Sequence, residues 1–105
     1  MSEVLSLDVS HTDSETTLRV TGEIHMDNSP QLRAALIQVC DEQPERVVVD
    51  LAGLTYIESS GIATLVEALQ RTRQAGGQLV LRGLSERIMG VFRLTRLDKV
   101  FSIVD

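Results

Sequence analysis

The first part of the chain alternates between apolar and polar side chains. Residues 4–9 follow this pattern, which is typical of a half-buried strand. Residues 16–24 repeat it, with Leu18 and Val20 on one face. Polar residues at 11–14 indicate a turn between the two runs. The pattern therefore predicts a β-hairpin at the start of the chain.

Three later segments place apolar residues at helical spacing, and each begins at a serine. The first has Ser29 as its predicted N-cap and Pro30 at its first helical position. The second begins near Ser60 and ends at Gly76-Gly77, which predicts a left-handed cap. The third begins at Ser85. We therefore predict three helices, the middle one being the most regular.

Short apolar runs between these helices predict the remaining strands. Residues 46–51 form a β-branched run typical of a central strand buried on both faces, and a turn is predicted at Gly53. Residues 78–82 and 100–104 predict two more strands. The order ββαβαβαβ implies an α/β fold with parallel neighbours. We expect one domain over residues 1–105, with a mixed four- to five-stranded sheet and helices mainly on one face.

Composition narrows the classes of function. The net charge of −5 and the 3% aromatic content disfavour a nucleic-acid partner. Acidic side chains dominate residues 1–70 and basic ones residues 71–105, which indicates either solvated faces of opposite sign or an acidic partner surface. Cys40 is the only cysteine and lies on an apolar helical stripe, so we expect a buried, inert thiol.

Targeting and membrane signals are missing from the sequence. No run approaches the ~20 apolar residues that a membrane-spanning helix needs. The N-terminus Met1-Ser2-Glu3 lacks the basic and apolar regions of a signal peptide. We therefore expect a cytoplasmic protein with no direct membrane insertion.

The segment Glu58-Ser59-Ser60-Gly61 carries the candidate chemistry, because it lies where an apolar run gives way to a helix. Serine hydroxyls at such a position can cap the helix. A helix N-terminus can equally hold a phosphate, since its free N–H groups and dipole favour negative charge. Position alone leaves capping and phosphorylation both open.

Residues 54–69, LTYIESSGIATLVEAL, resemble the central motif of STAS domains of the anti-sigma factor antagonist family. Residues 20–24 and 29–32 resemble the end of a strand and the helix start that follows it in that family. The resemblance implies a bacterial regulatory protein, not an enzyme, that binds an anti-sigma factor with serine kinase activity. It also implies that the partner phosphorylates Ser59.

The same resemblance defines the predicted partner surface. Its residues are His25, Asp27, Asn28, Glu58, Ser59, Ser60 and Gly61. The sequence departs from the family at two of them: Glu58 replaces an aspartate, and His25 stands where an acid is expected, although Asp27 follows two residues later. No ligand-spaced motif supports a metal site from His25, Asp27 and Glu58, and we expect no cofactor. Oligomeric state is left open, with a homodimer among the alternatives.

Two alternatives remain at this point. The string SSGIATLVEALQ also resembles STAS proteins that accompany lipid-transport ABC permeases, which would make a permease or its ATPase the partner. Ser59, His25 and Asp27 include the residue types of a serine hydrolase triad. The nucleophile pattern Gly-x-Ser-x-Gly fails, however, because Ile57 occupies its first glycine position.

Overall fold

The computed structural model describes residues 4–105, so the predicted absence of a signal peptide at residues 1–3 lies outside the described residues. Along the chain the elements are β1 (Ser6–His11), β2 (Glu15–Ile24), α1 (Ser29–Asp41), β3 (Arg46–Ile57), α2 (Ser59–Gln74), β4 (Gln78–Arg82), α3 (Glu86–Leu94), a 3₁₀ turn (Leu97–Lys99) and β5 (Ser102–Val104). The strands lie in the order β1-β2-β3-β4-β5. β1 and β2 are antiparallel, and all other neighbours are parallel. The predicted α/β fold with a mixed sheet is confirmed.

The hydrophobic core lies on one face of this sheet. Side chains alternate between faces along a strand, and Leu18, Val49 and Leu81 all point into the same core cluster. The three helices contribute buried side chains to that cluster, among them Leu36, Leu65 and Phe92. The helices therefore cover one face, as predicted. β1 is an edge strand, and its Val9 remains 41% exposed.

The opposite face of the central strand carries a buried acid. Asp50 is only 8% exposed; its Oδ2 is 3.1 Å from Arg82 Nη2 and 3.6 Å from Arg19 Nε. Partial burial would raise the pKa of Asp50, but hydrogen bonds from the Ala52 amide and from Arg82 outweigh it, so the pKa lies below its ordinary value. This ionic cluster lies on the face that the helices leave open.

β3 is twice as long as the run that predicted it. The predicted turn at Gly53 is wrong, because the strand continues from Arg46 to Ile57. The pairing of β3 with β2 changes register twice, and at each change β3 contains one residue more than β2. Gly53 is needed for close approach rather than for a turn: a Cβ there would lie 2.9 Å from the Oγ1 of Thr21. The extension carries β3 to the same edge of the sheet as the end of β2.

The starts of the three helices agree with the prediction to within one residue. Asn28, not Ser29, is the N-cap of α1, so Pro30 is the second helical residue. Ser85 caps α3 as predicted, since its hydroxyl accepts the Ile88 N–H at 3.2 Å. At the end of α2, Gly76 has φ +82° and the Gly77 N–H donates to the Thr72 carbonyl at 2.9 Å, which is the predicted left-handed cap.

Candidate functional site

Two chain segments meet at the carboxyl edge of the sheet, where β2 and β3 end side by side. One is the loop of residues 25–29 after β2, and the other is the start of α2. The Glu58 N–H donates to the Ile24 carbonyl at 3.0 Å, and the Met26 N–H donates to Glu58 Oε1 at 2.8 Å. These bonds join the loop to the helix start through both backbone and side chain.

Asn28 fixes the conformation of the 25–29 loop. Its Oδ1 accepts the His25 N–H at 2.8 Å, and its Nδ2 donates to the Glu23 carbonyl at 2.9 Å. The Ser29 N–H donates to the His25 carbonyl at 2.8 Å, and the Ser29 hydroxyl donates to the Met26 carbonyl at 3.3 Å. The loop therefore has a defined shape supported by its own polar groups.

Gly61 lets α2 approach the end of β2 closely. A Cβ on Gly61 would lie 2.6 Å from Ile24 Cγ2 and 3.0 Å from Ile57 Cγ1. Real Cβ atoms do not approach β-branched side chains that closely, so a larger residue would push the helix start outward. The glycine thus serves the packing that brings residue 58 to the loop.

Glu58 is the centre of the polar contacts at this edge. Besides the Met26 amide, its carboxylate accepts the Tyr56 hydroxyl at 3.2 Å and lies 3.6 Å from His25 Nδ1. The Met26 amide is the main cause that lowers the pKa of Glu58, ahead of Tyr56 and His25. The Glu58 charge is in turn the main cause that raises the pKa of Tyr56. The carboxylate is therefore held in its ionised form.

His25 contacts a second carboxylate on its other side. Its Nε2 lies 2.7 Å from Glu23 Oε1, and the His25 ring packs against Tyr56 with centroids 5.1 Å apart. The hydrogen bond to Glu23 is the main cause that raises the pKa of His25, with Glu58 adding to it. The arrangement favours an imidazolium between two glutamates.

The serines do not cap α2. Glu58 is the N-cap residue, and the helix has no side-chain cap bond. Ser59 is the first helical residue and is exposed. The Ser60 hydroxyl is buried, with no hydrogen-bond partner among the described residues. The capping interpretation is therefore wrong, and the Ser59 side chain lies at the surface of a helix start whose backbone N–H groups favour an anion.

The structure also places residues here that the sequence did not single out. Glu23 contacts His25, while Met26 and Tyr56 are 74% and 40% exposed at the same edge. Two signals were available in the sequence. Glu23 and His25 are two residues apart at a strand end, so their side chains can lie on the same face. Tyr56 is an aromatic residue that does not belong to the apolar core pattern of Leu54 and Ile57.

The predicted residues Asp27 and Asn28 lie around an open surface depression. It is lined by Val4, Leu5, His25, Met26, Asp27, Asn28, Gln31 and Glu58.

The ring nitrogens of His25 contact Glu23 and Glu58 rather than Ser59 or Asp27, so the three triad residue types are not arranged as a triad. In residues 4–105, no group of His, Cys, Asp or Glu side chains is arranged to hold a metal ion. No helix within the same residues is long and apolar enough to cross a membrane.

Comparisons with known proteins agree with this fold. A family model described as "Mlab, STAS domain" matches residues 7–105. The chain is 28% identical over 99 residues to an anti-sigma-B factor antagonist of Bacillus subtilis, covering 94% of this chain and 90% of the relative. It is 31% identical over 101 residues to an anti-sigma-B factor antagonist of Listeria monocytogenes, covering 96% and 85%.

A solved structure is also similar over nearly the whole chain. It is the crystal structure of an anti-sigma factor antagonist from Mycobacterium paratuberculosis, with a TM-score of 0.82 and 28% identity, covering 98% of this chain and 89% of that one. The family match, the identity to the Listeria relative and this structural similarity agree: the chain belongs to the STAS domain family.

Proposed function

We propose that this protein is an anti-sigma factor antagonist that binds an anti-sigma factor through the edge formed by the 25–29 loop and the start of α2. The names of its relatives support this class of function. We call the seven residues predicted above, together with Met26 and Tyr56, the partner surface. The protein is proposed to act by binding in the bacterial cytoplasm rather than by catalysis.

The exposed pair Met26 and Tyr56 supports protein binding at this edge. Their exposed fractions are 74% and 40%, and most of the other residues of the partner surface are polar or charged. Tyrosine and methionine are enriched in protein interfaces, because they supply apolar contact area on an adaptable or amphipathic side chain. Ser59 is exposed and lies three residues after Tyr56 in the chain, so the proposed interface includes it.

The observation that carries the regulatory part of the proposal is the position of Ser59. It is the first residue of α2 and is exposed, so a kinase can reach its hydroxyl. The helix N-terminus beside it stabilises added negative charge. We propose that Ser59 is the phosphoacceptor and that the kinase is the anti-sigma factor itself.

Phosphorylation would act on binding through charge. A phosphoserine adds about −1.5 to −2 charge. It would follow Glu58 directly in the chain, and the partner surface also contains the carboxylate of Asp27. A partner that seals this surface would have to desolvate that charge without a matching cation, which weakens binding. The unmodified surface lacks this penalty. The protein is therefore proposed to bind in its unphosphorylated form and to release its partner when modified.

A phosphorylation assay tests the proposal. The purified protein is incubated with ATP and either the anti-sigma-B factor of Bacillus subtilis or the anti-sigma factors of its own organism, and the modified residue is located by mass spectrometry. We expect one phosphate on Ser59, none on Ser59→Ala, and normal modification of the control Ser14→Ala, since Ser14 lies in the exposed turn after β1 at the far end of the sheet. Modification at another residue, or at none with any of these proteins, would refute the regulatory part. Co-purification with an ABC permease or ATPase instead would favour the alternative partner.

A further inference from the structure

Three ionisable side chains from two elements form a bridge at the partner surface. Glu23 lies near the end of β2, His25 begins the loop after it, and Glu58 is the N-cap of α2. His25 Nε2 is 2.7 Å from Glu23 Oε1, and His25 Nδ1 is 3.6 Å from Glu58 Oε2. We call these three residues the histidine bridge. All three side chains are about one-third exposed, with values of 31%, 32% and 36% for His25, Glu23 and Glu58.

The histidine bridge depends on the protonation state of its ring. A protonated imidazole carries an N–H on both nitrogens, so it can hydrogen-bond to Glu23 and form an ion pair with Glu58 at the same time. A neutral imidazole has only one donor, so its other nitrogen presents a lone pair to a negatively charged oxygen. The longer contact, the one to Glu58, is the contact that neutral His25 would lose.

Glu58 transmits the state of the ring to the backbone. The carboxylate that contacts His25 also accepts the Met26 N–H at 2.8 Å, and this bond joins the 25–29 loop to α2. We propose that His25 is a positioning residue: its protonated ring joins Glu23 to Glu58, holds the Glu58 carboxylate on the Met26 amide, and so keeps the loop docked at the start of α2.

The groups around the histidine bridge include no other cation that could join Glu23 to Glu58 among the described residues. On the β3 side, Tyr56 packs on the ring and donates its hydroxyl to Glu58, and on the loop itself Asp27 is exposed. Among the ion pairs of residues 4–105, neither Glu23 nor Glu58 has an arginine or lysine partner. His25 is therefore the cation that the described residues provide for these two carboxylates. An acid at position 25, as the STAS resemblance leads one to expect, could not make this bridge.

The direction of the pH dependence follows from these contacts. The two glutamates raise the pKa of His25 above its ordinary value of 6.5. The stabilisation that the bridge gives to the docked loop is therefore complete below about pH 6.5 and is lost as pH rises through the pKa of His25 in the folded protein. Its consequence for partner binding rests on the proposed function, since a loosened loop would present Met26 and Asp27 differently. The structural part does not require a partner.

Hydrogen exchange of the Met26 amide tests the proposal on the protein alone. The protection factor, corrected for the intrinsic exchange rate, is measured by NMR at pH 6 and pH 8.5, while the ring signals give the pKa of His25. We expect the wild-type protection factor at Met26 to fall severalfold between the two pH values. The variant His25→Gln should show low protection at both, and His25→Arg, which keeps its charge at all these pH values, should restore protection at pH 8.5.

Two controls keep the result specific. His11→Gln removes the other histidine, which lies at the end of β1, and should leave the Met26 profile unchanged. The Leu81 amide in the buried strand β4 should keep its protection in every variant, which shows that the fold is intact. Equal protection of Met26 at both pH values in the wild type, or an unchanged profile in His25→Gln, would overturn the proposal. Neither outcome bears on whether Ser59 is phosphorylated, so this failure and that of the proposed function are distinguishable.

Discussion

Two helical glycines, Gly61 in α2 and Gly90 in α3, differ in how closely other atoms surround them. Gly61, in the first turn of α2, faces Ile24 and Ile57, and an added Cβ would lie 2.6 Å from the nearer one. Apart from its chain neighbours and the backbone of its own helix, Gly90, inside α3, has no atom within 4 Å of the place where a Cβ would stand. One glycine is thus required by packing, and the other only weakens its helix.

This contrast gives a matched pair of substitutions. Gly61→Ala should lower the free energy of unfolding by about 1–3 kcal/mol, because the methyl group overpacks the contact between α2 and β2. Gly90→Ala should raise it by about 0.4–1 kcal/mol, because it restricts the unfolded chain without a clash. Chemical denaturation of both variants beside the wild type measures the difference. Equal effects in the same direction would show that α2 does not approach β2 as closely as described.

At the scale of elements, a side-chain cluster joins α1 to α2. Both carboxylate oxygens of Glu67 accept from Arg33, with Nε and Nη2 each at 2.8 Å, and Oε2 also accepts from Arg71 Nε at 3.1 Å. The hydrogen bond from Arg33 is the main cause that lowers the pKa of Glu67 to about 2, with Arg71 adding to it. A two-pronged pair of this kind fixes the relative position of two helices more firmly than a single ion pair.

The low pKa of Glu67 predicts how acid affects the helix pair. Its folded pKa lies below the ordinary value of 4.5, so its stabilising effect is complete above about pH 4.5 and is lost as pH falls toward 2. Glu67→Gln should therefore melt at a lower temperature than the wild type at pH 6, and the two curves should converge as pH approaches 2. Thermal melts at pH 6, 4, 3 and 2 measure the difference.

Glu86→Gln is the control for this series. The Glu86 side chain is 89% exposed, and its carboxylate lies 3.4 Å from Arg93 within one helix, where an ion pair contributes little. Its melting temperature at pH 6 should stay close to that of the wild type. A constant difference between Glu67→Gln and the wild type at all four pH values would contradict the assigned role of the Arg33 pair.

Sequence pattern predicted most elements but misjudged the longest strand. The alternation and helical spacing decide the type of each element, because they report which face is buried. Gly53 misled the prediction, because a glycine after an apolar run usually indicates a turn. Its actual role, to leave room for Thr21 on the neighbouring strand, depends on the pairing of distant residues. No local pattern contains that information.

At the scale of the whole molecule, the topology explains why part of the site was foreseeable. Parallel strands that are neighbours end at the same edge of a sheet, so the segments after β2 and β3 must lie near each other. The family motif supplied the candidate residues within them. The histidine bridge and the exposed Met26 and Tyr56 were not foreseen, since they depend on the bulges of β3 and on side-chain directions that spacing does not fix.

Under the proposed function, charge on Ser59 controls binding at the partner surface. Isothermal titration of the anti-sigma factor against wild type, Ser59→Ala, Ser59→Asp and the control Ser14→Asp tests it most directly, with thermal melts of each variant alongside. Folding should survive in Ser59→Asp, because an acid near a helix N-terminus is favoured by ~0.3–1 kcal/mol.

We predict that wild type, Ser59→Ala and Ser14→Asp bind with similar affinity, and that Ser59→Asp binds at least about tenfold more weakly, a loss of about 1.4 kcal/mol or more. Equal loss of binding in Ser59→Ala and Ser59→Asp would make the hydroxyl a direct contact instead of a regulated site. Wild-type affinity in a folded Ser59→Asp variant would contradict the claim.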